Sequence, residues 1–333
     1  WMFARLIEGR VHIPRSWLLY AVALLPIAYL ISTAAAGWTG AALVGQGVEQ
    51  DTLTAVMVWF SVFVFTTLLF FGNHAAQRMS LQALVFGLTM LAAFQSLYVL
   101  FPAWFSLGIF SENTANILGA WHDLGILSGL SLFLTFALWR SDVFSGWSRV
   151  ILPVLGLLSA FLLTVIHFND VFWTTAALML VGGCVAARTA RAHGHTFKKA
   201  FVQALPWVFA AVVLASLALF GTQIWEKLPA RISIVQTEVR PSWLGTFDIA
   251  KQSLQAPSQF VFGAGPNSFI REWGLHKPAS VNATPFWDSD FNFGVGIIPT
   301  SIFTAGLFGL LAWMGVMLVL LALVVRYVRR LKR

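Results

Sequence analysis

Long runs of apolar residues alternate with short polar connectors along most of this chain. A helix needs roughly 20 apolar residues to cross a hydrocarbon core. Runs near that length fall at about 16–36, 53–72, 80–101, 123–140, 148–168, 170–188, 203–223 and 296–325. The pattern predicts an all-α, polytopic transmembrane helix bundle of eight spans. The fourth run is short. Only Phe168-Asn169-Asp170 separates the fifth from the sixth, which predicts a tight hairpin. One stretch breaks the alternation and is too polar to cross lipid. The expected division is therefore a bundle of seven spans over 1–223, a large loop with short helices over 224–295, and a closing helix with a basic end over 296–333.

Composition agrees with this class. Of 333 residues, 58% are hydrophobic and 10% charged, against about 25% charged in soluble domains. Fifteen Trp and thirty Phe suit lipid-facing and interfacial positions. The net charge of +8 does not point to nucleic acid, because it is sorted by connector. With the N-terminus placed in the cytoplasm, the inner connectors and the basic end hold 15 of the 21 Lys and Arg, and 11 of the 13 acids fall outside or at the outer edge. The remaining six cations all lie in the long loop. This is the positive-inside distribution, and it predicts N-in and C-in. The single cysteine, Cys184, lies within an apolar run and allows no intrachain disulfide. The chain starts on Trp1 and stops just after its last span, so a fragment of a longer protein is expected.

Candidate chemistry concentrates in the loop. Pro241 opens a helix whose residues Trp243, Phe247, Ala250 and Leu254 recur at spacings of three and four, predicting an apolar face. Arg240 sits at its start, where backbone N–H groups and a guanidinium together favour an anion. Gly263-Ala264-Gly265-Pro266-Asn267 predicts a tight turn whose backbone approaches a ligand closely. The following segment carries His276, Lys277, Asp288 and Asp290. Phosphates need cationic partners and an attacking hydroxyl needs a general base, so this set suits an anionic, lipid-linked substrate. The candidate bases are Asp290, Asp288 and His276. The candidate substrate-binding residues are Arg240, Lys277, Gly263, Gly265 and Asn267.

Each has a plainer reading. A loop arginine is often only solvated, His276 can cap or pack, and either aspartate can pair with a loop cation. Trp243, Trp273 and Trp287 are expected as interfacial anchors. His193 and His195, two residues apart in a cytoplasmic connector, lack the further ligands of a metal site. A second cluster, Glu112, His122, Asp123 and Asp170, falls at the outer ends of spans, where ionisable residues are functional candidates; Asp123 alternatively caps the helix that follows.

The order Arg240-x-x-Trp243, Pro257, Phe262-Gly263-x-Gly265-x-x-x-Phe269, then Gly306-Leu307-Phe308-Gly309 in the closing span, resembles the core of the O-antigen ligase and polymerase family. Residues 113–129, NTANILGAWHDLGILSG, resemble the Asn-containing start of a span in that family. The resemblance covers roughly residues 110–325. It implies an inverting, integral-membrane glycosyltransferase of the bacterial cytoplasmic membrane. Such an enzyme moves a glycan from an undecaprenyl-diphosphate carrier to a glycan, lipid or protein acceptor on the outer face. It uses no cofactor, metal or nucleotide sugar, and the donor-binding arginine maps onto Arg240. Many family ligases place a His shortly before the closing span; here that region reads Trp287-Asp288-Ser289-Asp290-Phe291, leaving an aspartate or His276 as base. The rival readings are a transporter or flippase for lipid-linked sugars, and a non-catalytic scaffold.

Overall fold

The computed structural model describes residues 15–330 except 48, 107, 109–115, 140, 228–240 and 284–286. Every regular element among them is helical. Besides two 3-10 turns, Gly146–Val150 and Ala279–Ala283, the α-helices in chain order are α1 (Trp17–Ala35), α2 (Gly40–Leu43), α3 (Leu53–Phe70), α4 (His74–Leu100), α5 (Pro102–Phe105), α6 (Trp121–Leu138), α7 (Ile151–Ile166), α8 (Asn169–Ala192) and α9 (Phe197–Trp225). The polar stretch adds α10 (Trp243–Ser253), α11 (Pro257–Phe262) and α12 (Phe269–His276), and the chain closes with α13 (Ile297–Thr304) and α14 (Gly306–Arg330). Eight helices, α1, α3, α4, α6, α7, α8, α9 and α14, are long and apolar enough to cross a membrane. That is the architecture of a multi-pass membrane protein.

The chain divides into two compact units, Trp1–Asn73 with Val239–Arg326, and His74–Glu238 with Tyr327–Arg333. In the second, α6, α7 and α4 share a core that includes Leu124, Leu152, Leu155 and Leu162, all fully buried. Another core, around Phe172, Met179 and Leu214, joins α8 to α9. Their close approach follows from Gly182 and Gly183: a Cβ on Gly182 would lie 2.2 Å from the ring of Trp207. The tight hairpin between α7 and α8 is present. His167 makes it with a left-handed φ of +51°, and its N–H donates to the Leu163 carbonyl at 3.0 Å.

In the first unit α1 packs on α3, and the polar stretch folds into a cap whose core is Ile249, Ala250, Phe269, Trp273 and Phe303. The structure departs from three expectations here. The closing run is not one helix over 296–325. It is divided into α13 and α14 at Ala305, because Gly306 takes a φ of +60° and the loop supplies donors to the carbonyls freed there. Helix α10 is capped by Ser242, whose Oγ accepts from the Gly245 N–H at 3.0 Å, but it buries Thr246, Ile249, Ala250 and Ser253. Trp243 and Phe247 stay largely exposed and stack on each other at 6.0 Å. Trp273 is not an interfacial anchor: it is 2% exposed, meets Phe291 edge-on at 4.8 Å, and its Nε1 donates to the Ser289 carbonyl at 3.0 Å. An indole N–H buried with an acceptor belongs to a core. Trp243 and Trp287 remain exposed, as an interfacial position requires.

Candidate functional site

The glycine turn after α11 is built for contact between backbones. Gly263 has φ +83° and Gly306 φ +60°. A Cβ on Gly263 would lie 2.2 Å from the Thr304 carbonyl oxygen, and one on Gly306 would lie 2.4 Å from the Gly263 nitrogen. Both positions must lack a side chain for the two strands of backbone to cross. The crossing lets Ala264 N–H donate to Phe303 O at 3.0 Å and Gly265 N–H to Thr304 O at 3.1 Å. Ser32 Oγ also donates to Thr304 O, at 2.7 Å. Thus the last carbonyls of α13, which have no partner within their own helix, are satisfied by the loop and by α1.

The same turn is fastened to Asp51. Asn267, at φ +55°, donates its N–H to Asp51 Oδ2 at 3.4 Å and its Nδ2 to the Ala41 carbonyl at 3.3 Å. Asp51 Oδ1 accepts from the Tyr29 hydroxyl at 2.5 Å and from Thr304 Oγ1 at 3.2 Å. Asp51 is 5% exposed. Burial pushes its carboxyl up to about 6, against the pull of hydrogen bonds from Tyr29, Thr304 and Asn267. Sequence reading missed this residue. The available signal was an acid two positions before an apolar span, next to Thr52, which takes the capping role itself.

Helix α12 starts two residues after Asn267 and carries the second group. Its Glu272 is 7% exposed. Arg271 donates to Glu272 Oε1 from Nη2 at 2.6 Å and from Nε at 3.0 Å. His276, one turn on, places Nε2 3.5 Å from Glu272 Oε2 and is half-buried. Lys277 donates through Nζ to the Trp287 carbonyl. With the Trp273–Ser289 bond, this lays the segment carrying Asp288 and Asp290 beside α12. Both aspartates are exposed.

His276, Lys277, Asp288 and Asp290 therefore belong to one neighbourhood at the C-terminal end of α12. Gly263, Gly265 and Asn267 belong to the buried knot that precedes its N-terminal end. Arg240 lies outside the described residues. Glu272 was also missed, although its i,i+4 spacing to His276 was visible in Glu272-x-x-x-His276.

In the other unit, His122 Nε2 lies 2.7 Å from Asp170 Oδ2, with Phe168 edge-on to the imidazole at 5.3 Å. Asp123 is exposed in the first turn of α6, and the cap position is Ala120. Glu112 lies outside the described residues. His167 stacks on Trp225 at 5.6 Å, and burial lowers its pKa. Among the described residues no three His, Cys, Asp or Glu side chains group as a metal site would. An imidazole backed by a carboxylate, as at His276, can take a proton from a hydroxyl. Compared with known protein families, curated proteins and solved structures, the chain gives no match.

Proposed function

We propose that this chain is an O-antigen ligase-like glycosyltransferase of a bacterial cytoplasmic membrane. It transfers a glycan from an undecaprenyl-diphosphate carrier to an acceptor on the outer face. The observation that carries the reading is the Glu272–His276 pair at 3.5 Å, on a helix held beside Asp288 and Asp290 in a folded cap. The half-exposed imidazole takes the acceptor's proton and the buried carboxylate stabilises the imidazolium that forms. The acceptor oxygen then bonds to the anomeric carbon as the bond to the carrier diphosphate breaks, with inversion. Arg240 and Lys277 bind the departing diphosphate. The sorting of cations by connector supports an outer location for the cap.

One observation favours a transporter. The closing span is interrupted at Ala305 beside the buried Asp51, and transporters bind solutes at interrupted helices. Yet the carbonyls at this break are taken by Ala264, Gly265 and Ser32, and both Asp51 oxygens already accept bonds. The transferase reading uses the half-exposed His276, beside the exposed Asp288 and Asp290. Membranes containing the full chain, supplied with labelled glycan on its undecaprenyl-diphosphate carrier, are expected to transfer label, and Arg240→Ala to stop it. Uptake of the carrier-linked sugar into proteoliposomes with no transfer of label would replace this reading with the transporter.

A further inference from the structure

The second unit contains a cleft of about 680 Å³ between α6, α7 and α9. Its walls include Trp139, Leu157, Ala160, Gln203, Trp207 and Val213. Ala160 is an exposed, small lining residue on α7, and Gly156 lets α7 approach Thr135 of α6, which a Cβ there would meet at 3.1 Å. Trp207 forms part of the wall and is held there by Phe133 and Phe136, at 5.6 and 5.3 Å between ring centres. The lining runs along α9 from Val202 to Leu217, about 22 Å of helix. That exceeds one leaflet's share of a core about 30 Å thick. The shape and chemistry suit a hydrocarbon chain lying along the span.

One end of the cleft is basic. Lys198 and Lys199 stand four residues before the lining residues Val202 and Gln203, so they share those faces of α9. Arg149 precedes the lining residue Pro153 by one turn. All three are exposed. The turns joining α6 to α7 and α8 to α9 lie at this same end, because α7 and α8 meet at the other end through His167 and Phe168. Arg188 and Arg191 add to the charge, with Arg191 over the Phe197 ring at 5.6 Å. The described acid at this end is Asp142, on the α6–α7 connector.

We propose that this cleft is a binding site for an anionic phospholipid, with one acyl chain in the cleft and the phosphate held by Lys198, Lys199 and Arg149 at its mouth. The cleft supplies the shape and the cations supply the choice of headgroup, since a zwitterionic lipid brings its own cation to a basic rim. The site stands on the second unit alone and is independent of the transfer reaction.

The test uses the purified full chain in detergent. It is titrated with phosphatidylglycerol or with phosphatidylcholine of the same chains, and read by native mass spectrometry and by thermal unfolding. Phosphatidylglycerol is expected to stay bound and raise Tm, and phosphatidylcholine to do neither. Replacing both Lys198 and Lys199 with Gln should weaken phosphatidylglycerol about fivefold per charge removed. Ala160→Trp fills the cleft from an exposed position and should abolish binding; if that variant does not fold, Val213→Trp fills it from the opposite wall. Equal binding of the two lipids, or unchanged phosphatidylglycerol binding after the cleft is filled, overturns the proposal. Stabilisation by inorganic phosphate equal to that by phosphatidylglycerol overturns it too, since the chain would then contribute nothing.

Discussion

The Tyr29 hydroxyl donates to the buried carboxylate of Asp51 at 2.5 Å, joining the first span to the residue that also receives Thr304 and Asn267. Burial raises the Asp51 pKa from 3.8 to about 6, so the folded state holds this proton more tightly than the unfolded chain does. The contribution to stability is then full below about pH 4 and is lost as pH rises to about 6. A difference of that size in proton affinity corresponds to about 3 kcal/mol. In Asp51→Asn the amide oxygen still accepts from Tyr29, and nothing titrates. We expect the Tm of the native chain relative to this variant to rise as pH falls from 7 to 5. Thermal unfolding in detergent across that range measures it, and a difference independent of pH would remove the buried carboxyl from the account.

The crossing of Gly263 and Gly306 makes a sharper demand. An added Cβ meets backbone atoms 2.2 and 2.4 Å away, and both positions have positive φ. Backbone cannot yield as a flexible side chain can. Gly263→Ala and Gly306→Ala are each expected to cost about 3 kcal/mol. Gly274 lies within α12 with nothing within 4 Å of its Cβ position. There Ala should stabilise the protein by up to about 1 kcal/mol. Thermal melts of the three variants give the comparison, and equal effects at 263 and 274 would contradict the crossing.

What the sequence makes legible here is whatever is local. Each span is a run of apolar residues, and the hairpin at His167 is visible because two runs nearly touch. The start of α10 is visible in Pro241-Ser242. Its buried face is not, because the bulk of Trp243 and Phe247 outweighs Ile249 in any periodic count while the tertiary fold buries Ile249. Asp51 is less visible still. Its donors stand 22, 216 and 253 residues away, and no window along the chain holds them together. The interruption at Ala305 is hidden for the same reason: it is tolerable only because a distant glycine turn satisfies its carbonyls. The candidate bases were found as residue types, whereas the choice among them rests on Glu272, buried through packing that involves Phe269 and Trp273.

His167 gives a pH dependence of opposite sign to that of Asp51. Its imidazole stacks on Trp225 and touches Phe172, and burial lowers its pKa from 6.5. The folded state then holds the proton less tightly than the unfolded chain. Its contribution is present above about pH 6.5 and is lost as pH falls through the lowered value. His167→Phe keeps an aromatic ring against Trp225 and removes the titration. We expect the native chain to lose Tm relative to this variant as pH falls from 7 to 5, in the same melts that report Asp51.

The choice of His276 as base can be decided by varying it, its partner Glu272 and the two aspartates separately. Loss of a general base costs about 100-fold or more in rate, so His276→Ala should reduce glycan transfer by at least that factor. Asp288→Asn and Asp290→Asn, at exposed positions, should change it less than tenfold. Glu272→Gln keeps the shape of the side chain and a hydrogen-bond acceptor while removing the charge that favours the imidazolium. A buried Glu272 with a purely structural role would lower Tm and cut transfer by the same factor in the native chain and in His276→Ala. If Glu272 supports His276 as a base, Glu272→Gln should instead slow transfer in the native chain and slow it no further in His276→Ala. Transfer rates of the native chain, the two single variants and the double variant give the measurement. Full transfer in His276→Ala would pass the role of base to the aspartates, and additive losses in the double variant would leave Glu272 a structural residue.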